Sequence, residues 1–264
     1  MGHEEGISLN KYISATGFCS RREADKLIEQ ARVTINDELV LPGARVHAGD
    51  RVAIDGEPLK GAAKKRPIYI ALNKPVGVTS TTDLKDKTNI IGFLNYPKRI
   101  FPIGRLDKDS DGLIFLTNDG DIVNKILRAS NNHEKEYIVT VDKALSPEFV
   151  AQMGNGIPML GTVTRKCFVR QEGGRRFRIV LTQGLNRQIR RMCEYLGYKV
   201  VTLTRVRIMN VQLGDLPVGK WRYLSPQEID KMNALVATSA KTDEENRPAK
   251  KKAPGKPPHN IRKK

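Results

Sequence analysis

The segment GRLDKDSDGLIFL, residues 104–116, decides how the rest of the chain is interpreted, because it joins a charged loop to an apolar run. Asp107 lies close to Arg105 and Lys108, and nearby cations favour the charged form of a carboxylate. An ionised carboxylate that is held in place can act as a nucleophile, a general base or a metal ligand. The apolar run Leu113–Leu116 is typical of a buried strand. The segment therefore predicts a strand that begins beside a reactive carboxylate.

The acidic part of this segment also resembles the beginning of a calcium-binding loop. Such a loop has acidic residues at alternate positions, a glycine at the sixth and a bidentate Glu at the twelfth. The first part of that pattern is matched by Asp107, Asp109, Asp111 and Gly112. The twelfth position is Asn118, whose neutral amide cannot replace a bidentate carboxylate. We therefore predict no metal here, and a solvated acidic turn remains the alternative for this loop taken alone.

A second segment, residues 135–141 (KEYIVTV), has the alternation of a half-buried strand. Tyr137, Val139 and Val141 would share one face of that strand. An aromatic ring at this position can stack on a planar ligand, and a tyrosine packed in the core is the alternative.

A third segment, residues 181–192 (LTQGLNRQIRRM), leads into a predicted helix that has basic side chains at its start. A positive cluster at a helix N-terminus opposes the helix dipole and is unfavourable unless an anion lies nearby. The apolar stripe of the helix leaves Arg187, Arg190 and Arg191 to project from other faces. We therefore expect these arginines to meet an anion, with three solvated arginines as the alternative.

Together the three segments resemble the sequence motifs of the pseudouridine synthases, in particular their RsuA-type branch, from about residue 7 to residue 230. The resemblance implies that Asp107 is the nucleophile, that Tyr137 packs against the target base and that Arg190 pairs with the nucleophile. It also implies RNA contacts at Arg105, Leu106, Lys108, Arg187, Gln188 and Ile189. Many relatives have Thr-Ser-Gly where this chain has Ser110–Gly112, and we expect that difference to be neutral.

The N-terminal part, residues 7–55, resembles the S4 RNA-binding domain. Ser20 and Glu23 have the spacing of a capping box, which begins a helix with a buried stripe at Ala24, Leu27, Ile28 and Ala31. Basic side chains lie off that stripe, and the resemblance implies that they contact RNA: Arg21, Arg22 and Lys26.

The remaining chain divides into three further parts. Residues 56–67 are rich in small and basic residues, as is typical of a flexible linker. Residues 68–237 form the predicted catalytic domain, and residues 238–264 a disordered basic tail that would add salt-dependent RNA affinity. The catalytic part has more strand-like than helical runs, with strands expected at 161–169 and 200–211 among others. We therefore predict an α+β fold with a mainly antiparallel mixed sheet.

Composition agrees with an RNA-binding enzyme of the cytoplasm. The chain has 264 residues and a net charge of +17, which favours a polyanionic partner, most often nucleic acid. Three widely spaced cysteines indicate reduced thiols, and neither a signal peptide nor a membrane-spanning apolar run is expected. The composition thus argues against secreted and membrane classes.

The resemblance implies that the chain isomerises one uridine in structured RNA to pseudouridine after flipping the base out of its stack. The C1′–N1 bond is broken and the ring is rejoined through C5, so no redox change and no group donor are needed, and we expect no cofactor. Large-subunit (23S) ribosomal RNA is the expected substrate, with a transfer RNA as an open second target, and we expect a monomer. The alternatives are a noncatalytic S4-type RNA-binding or ribosome-associated factor, and a methyltransferase, which would need a cofactor loop.

Overall fold

The computed structural model describes residues 6–59, 66–127 and 132–237. Contacts between Cα atoms divide the chain into two units. The first comprises residues 1–120, 203–206 and 212–226, and the second comprises residues 121–202, 207–211 and 227–264. The predicted tail, residues 238–264, and residues 60–65 of the predicted linker lie outside the described residues.

The N-terminal part of the first unit consists of two short helices and small antiparallel sheets. Its elements are β1 (Ile7–Ser8), α1 (Leu9–Thr16), α2 (Arg21–Glu29), β2 (Val33–Ile35), β3 (Glu38–Leu39), β4 (Arg45–Val46), β5 (Val52–Ile54) and β6 (Glu57–Pro58). The strand order is β3-β2-β5-β6, and β1 pairs with β4. Strand β6 lies within the segment that we predicted as linker, because residues 57 and 58 extend this sheet beyond residue 55.

The predicted capping box is present at the start of α2. The Ser20 hydroxyl accepts a hydrogen bond from the Glu23 backbone N–H at 3.1 Å, and the Glu23 carboxylate accepts one from the Ser20 backbone N–H at 2.7 Å. Ala24 and Ile28 are buried as predicted. The stripe does not extend to Ala31, because α2 ends at Glu29 and Ala31 adopts a left-handed backbone conformation with φ of 54°.

Among the described residues from 66 onward, ten helices and strands precede β14 and five follow it. In chain order these elements are β7 (Tyr69–Lys74), α3 (Ile90–Leu94), β8 (Phe101–Ile103), β9 (Asp111–Thr117), α4 (Gly120–Leu127), β10 (Lys135–Val141), α5 (Phe149–Gly154), β11 (Pro158–Met159), β12 (Thr162–Val163), β13 (Phe168–Gly173), β14 (Arg176–Leu181), α6 (Gln188–Tyr195), β15 (Val200–Ile208), β16 (Val211–Gln212), β17 (Trp221–Tyr223) and α7 (Pro226–Ala237).

The core of the first unit lies around strands β7 and β9. β7 pairs antiparallel with both β9 and β17, and β8 pairs antiparallel with β9. On the other side of β9, Thr204 and Arg205 of β15 pair in parallel with Asp111 and Gly112. All six residues of β7 and the last six of β9 are buried, so the predicted apolar run does form a buried strand.

The second unit contains a three-stranded antiparallel arrangement in the order β13-β14-β10. Its core contains Phe149 of α5, whose ring centroid lies 4.9 Å from those of Phe177 and Tyr198. The single strand predicted at 161–169 is two strands, β12 and β13, because Thr164 turns away to exchange hydrogen bonds with Ile157 at 2.9 Å.

The strand predicted at 200–211 is likewise divided, into β15 and β16. Met209 adopts a left-handed conformation with φ of 52°, and this turn separates the two strands. With these differences, the predicted α+β class with a mixed, mostly antiparallel sheet is confirmed. Within the described ranges, no helix has both the length and the apolar character needed to cross a bilayer.

We predict that Gly112→Ala strongly destabilises the first unit. Gly112 has φ of 101°, and an added Cβ would lie 2.3 Å from the carbonyl oxygen of Arg205 and 2.6 Å from its nitrogen. A backbone atom cannot yield as a flexible side chain does, so we expect a loss of about 3 kcal/mol in the free energy of unfolding. Urea unfolding would measure it. Gly174→Ala, where an added Cβ meets nothing within 4 Å, is the matched control, and equal losses in both variants would contradict the argument.

Candidate active site

The carboxylate of Asp107 lies in the loop between β8 and β9 in the first unit. The loop begins at Gly104, whose φ of 80° turns the chain away from β8. A turn follows, in which the Ser110 N–H donates to the Asp107 carbonyl at 3.1 Å. Asp107 is half-buried, whereas Arg105 and Lys108 are exposed. The loop thus holds its carboxylate partly shielded and places its two cations in solvent.

Hydrogen bonds fix the backbone on both sides of Asp107. The buried hydroxyl of Ser80 donates to the Leu106 carbonyl at 2.8 Å and accepts from the Leu106 N–H at 3.1 Å. The Gly77 N–H donates to the Lys108 carbonyl at 2.7 Å. Because both neighbours of Asp107 are held, the backbone that carries its carboxylate has little freedom to move.

Arg205 of β15 ties this loop to β9. Its buried guanidinium donates through Nε to the Leu113 carbonyl at 2.7 Å and through Nη1 to the Arg105 carbonyl at 3.5 Å. Sequence reasoning missed Arg205, because an arginine in a predicted strand normally faces solvent. Its alternation with Leu203 on the strand was the available signal, since Leu203 is also buried.

Lys74, at the end of β7, is a second buried cation that sequence reasoning missed. Its side chain is 0% exposed, and Nζ donates to the carbonyls of Pro75 and Val78 at 2.9 Å each. Burial lowers the pKa of Lys74 to about 8, although nearby carboxylates, led by Asp111 and including Asp107, oppose that decrease. The available signal was a lysine that follows the apolar run of β7 after one asparagine and precedes a proline.

Tyr137 lies on β10 in the second unit, half-buried and opposite Ile179 of β14. The preceding residue, Glu136, forms ion pairs with Arg178 and, at 2.5 Å, with Arg207. Burial alone would raise the pKa of Glu136, but hydrogen bonds from the two arginines outweigh it and hold the pKa below its usual value. These ion pairs fix β10, and so they fix the backbone that carries Tyr137.

The pairs around Glu136 continue on both sides. Arg178 also binds Glu172 at 2.6 Å, and Arg207 also binds Glu134 at 3.0 Å. The two arginines thus link strands β10, β13, β14 and β15. The links are charge-assisted hydrogen bonds, which are stronger than neutral ones.

Helix α6 begins after Arg187, which is exposed and adopts a left-handed conformation with φ of 48°. Arg190 is buried, with a side chain only 8% exposed, so the alternative of a solvated arginine does not hold for it. Gln188 is also buried, and its side-chain oxygen accepts a hydrogen bond from the Leu185 N–H at 3.0 Å. Gln188 therefore stabilises the start of its own helix.

The structure places the predicted site residues in different parts of the chain. In the first unit, Arg105, Leu106, Asp107 and Lys108 share one loop, and Arg21, Arg22 and Lys26 are exposed on α2. In the second unit, Tyr137 lies on β10, and residues 187–190 lie at the start of α6. The side chains of Leu106, Gln188 and Ile189 are buried. We therefore expect side-chain contacts with RNA from the exposed cations: Arg21, Arg22, Lys26, Arg105, Lys108 and Arg187.

Comparisons with known proteins show which families the chain matches. Residues 8–60 match the S4 domain, and residues 68–195 match the RNA pseudouridylate synthase family. The dual-specificity RNA pseudouridine synthase RluF of Salmonella typhi is 56% identical over 94% of this chain and 86% of that protein. The Escherichia coli K12 protein of the same name is 52% identical over 96% of this chain and 87% of that protein.

A solved structure gives the same result for the fold. The crystal structure of a pseudouridylate synthase matches with a TM-score of 0.63 and 30% identity, covering 86% of this chain and 99% of the other. The chain belongs to the RNA pseudouridylate synthase family and carries an S4 domain. It is an isomerase that converts uridine to pseudouridine in RNA, and the noncatalytic alternative is not supported.

We predict that Lys74 makes stability rise with pH above 8. Its pKa is about 8 in the folded protein and near 10.5 when exposed, so between these values the unfolded chain binds a proton that the folded protein lacks. The free energy of unfolding should therefore increase by up to about 1.4 kcal/mol per pH unit in that window. Urea unfolding at pH 8 and pH 10 would measure this, with Lys74→Met as the control that has no such group. Equal slopes for both proteins would contradict the prediction.

Proposed function

We propose that Asp107 is the nucleophile of the isomerisation, that Tyr137 packs against the flipped uracil and that Arg190 pairs with the Asp107 carboxylate. The observation that carries the proposal is the anchoring of Leu106 and Lys108, on either side of Asp107, by hydrogen bonds from Ser80 and Gly77. A nucleophile must be held in position to react efficiently, and this loop supplies that constraint.

The proposed residues suit a reaction on a base that is taken out of an RNA stack. Flipping costs a few kcal/mol in lost stacking, and stacking on Tyr137 would return about 1–3 kcal/mol of it. The exposed Arg105, Lys108 and Arg187 would bind backbone phosphates, because each is a cation in solvent beside a predicted catalytic segment. The protein would thus supply orientation and charge, and the reaction itself requires no net oxidation or reduction.

We further propose large-subunit ribosomal RNA as the substrate, with a transfer RNA as a second one. A Bacillus subtilis relative, 32% identical over 86% of this chain, is named ribosomal large subunit pseudouridine synthase B. The term dual-specificity in the names of the relatives that are more than half identical supports two RNA targets.

We assign separate roles in RNA binding and catalysis to the parts of the chain. The S4-like part, predicted as residues 7–55 and extended by β6 to residue 58, would bind RNA through Arg21, Arg22 and Lys26 on the exposed side of α2. The rest of the predicted linker, up to residue 67, would connect it to the catalytic domain, residues 68–237. A tethered module raises the effective concentration of the second binding event. The basic segment 238–264 would add salt-dependent affinity. We propose that the enzyme acts as a monomer in the cytoplasm.

We predict that Asp107→Asn abolishes pseudouridine formation and leaves RNA affinity within a few-fold of wild type. Asparagine keeps the size of the side chain and removes the charge that attacks, so the rate should fall by at least about 10³-fold. Pseudouridine mapping of RNA treated with each protein, together with a filter-binding titration, would measure both quantities. Asp109→Asn, in the same loop and exposed, is the control and should remain active.

Cells that lack this protein would test the substrate. Mapping of total RNA should show one large-subunit uridine without its mark, restored by wild type and not by Asp107→Asn. Turnover by Asp107→Asn would contradict the role of Asp107, whereas a lost mark confined to transfer RNA would contradict the ribosomal substrate alone.

A further inference from the structure

Four aromatic side chains form a surface cluster in the first unit, which we call the aromatic patch: Phe93, Tyr96, Trp221 and Tyr223. The Trp221 ring lies 5.8 Å from Tyr96 and 5.3 Å from Tyr223, edge to face in both cases. The hydroxyls of Tyr96 and Tyr223 are 3.0 Å apart and hydrogen-bonded. Phe93 approaches from α3, with its ring 3.6 Å from where a Cβ on Gly219 would lie.

Three rings of this patch are open to solvent, although Tyr96, Trp221 and Tyr223 hold one another in place. Tyr223 is 55% exposed, Phe93 43% and Trp221 38%. These three are half of the exposed aromatic side chains among the described residues, the others being Phe18, Phe168 and Tyr195. An exposed aromatic cluster of this kind marks a binding surface more often than an isolated exposed ring does. Edge-to-face contacts also keep the rings preorganised for a ligand.

The charge around the patch favours a polyanion. The two segments that form it, residues 90–100 and 212–226, contain Lys98, Arg99, Lys220 and Arg222 but only one acidic residue, Asp215. Lys98 follows Tyr96 by two positions and Lys220 directly precedes Trp221, and both are exposed. A partner protein that buried these rings would also have to accommodate several cations. Unpaired RNA instead provides bases for the rings and phosphates for the lysines.

The patch is also close to β7, the strand that pairs with β9 beside the catalytic loop. Trp221 of β17 pairs with Leu72 of β7, and the Asn73 N–H donates to the Lys220 carbonyl at 3.0 Å. From Leu72, β7 reaches the buried Lys74 within about 7 Å along the strand. Lys74 in turn pairs with Gly112 at the start of β9, and three residues further on the Gly77 N–H donates to the carbonyl of Lys108, the neighbour of Asp107. An RNA strand of a few nucleotides could therefore extend from the aromatic patch to Asp107.

We propose that the aromatic patch binds unpaired nucleotides beside the target uridine, with bases stacked on Trp221 and Tyr223 and phosphates held by Lys98 and Lys220. This goes beyond the proposed function, which assigns RNA contacts to the S4-like part and to the catalytic motifs. It rests on the RNA-modifying activity only for the nature of the ligand. Because the rings stack on any base, the patch would add affinity and orient the strand without recognising its sequence.

The first test uses the intrinsic fluorescence of the protein. Trp221 is the only tryptophan of the chain, so its emission reports on the patch alone. The full-length enzyme is titrated with a ribosomal RNA stem–loop that keeps its unpaired flanking nucleotides, and with the same stem–loop made blunt. We expect quenching of Trp221 by the flanked RNA and little by the blunt one. Equal emission with both RNAs would overturn the proposal.

The second test removes the rings. Trp221→Ala and Tyr223→Ala should each weaken binding of the flanked RNA by about 5- to 100-fold and leave binding of the blunt RNA unchanged. Tyr223→Phe keeps a ring that can stack and should bind as wild type does. Phe168→Ala, which removes an exposed ring of β13, is the matched control and should have no effect on either RNA.

These outcomes separate the proposal from the function on which it depends. Pseudouridine is measured in the same flanked RNA with wild-type enzyme, and its absence would count against the choice of substrate. Pseudouridine formation together with unchanged affinity in both alanine variants would overturn the patch proposal, and would leave a protein partner or a second copy of the chain to account for the exposed rings. If Trp221→Ala unfolds, Tyr223→Ala and a Lys220→Glu variant, which should weaken flanked-RNA binding, keep the proposal open to refutation.

Discussion

The contact between Arg205 and the carbonyls of Leu113 and Arg105 is the constraint on which the catalytic loop depends. It joins β15 to its parallel neighbour β9 and to the catalytic loop, which directly precedes β9. The backbones come so close here that Gly112 has no room for a Cβ against Arg205. A guanidinium can satisfy several carbonyls from a rigid plane, so a single buried side chain fixes both the strand register and the position of residue 105. The start of the loop that carries Asp107 is therefore tied to the sheet, and Ser80 and Gly77 hold the residues on either side of Asp107.

Burying a cation is unfavourable unless opposite charge lies nearby and its donors have hydrogen-bond acceptors. The first unit buries two cations, Lys74 and Arg205. Lys74 gives two of its donors to the turn that follows β7 and lies within the influence of Asp111, Asp107 and Asp109. Arg205 gives donors to the carbonyls of Leu113 and Arg105. The loop has three carboxylates within five residues, which would repel one another in isolation. Buried cations beneath such a loop offset that repulsion and stabilise its folded conformation.

Local signals in the sequence were sufficient for part of this structure. The capping box at Ser20 and the buried run 113–116 involve neighbours in the chain, and both were predicted correctly. The five-residue helix α3 and the six-residue helix α5 are too short to show a periodic pattern, and they were missed. The burial of Arg205 depends on a carbonyl 92 positions earlier in the chain, which no local pattern reveals. The pairing of Asp107 with Arg190 joins residues of the two units and stays a prediction.

The anchoring of the catalytic loop has a consequence for how a substrate is chosen. A backbone held by Ser80, Gly77 and Arg205 presents the same carboxylate to any uridine that is flipped towards it. Discrimination between uridines must then come from surfaces that contact the RNA around the target. The described residues offer two such surfaces in the first unit, the exposed basic side of α2 and the aromatic patch. The first would bind phosphates and the second unpaired bases, so together they favour a site where duplex and single strand meet. For this chain we therefore expect the choice of uridine to depend on these two surfaces more than on the loop.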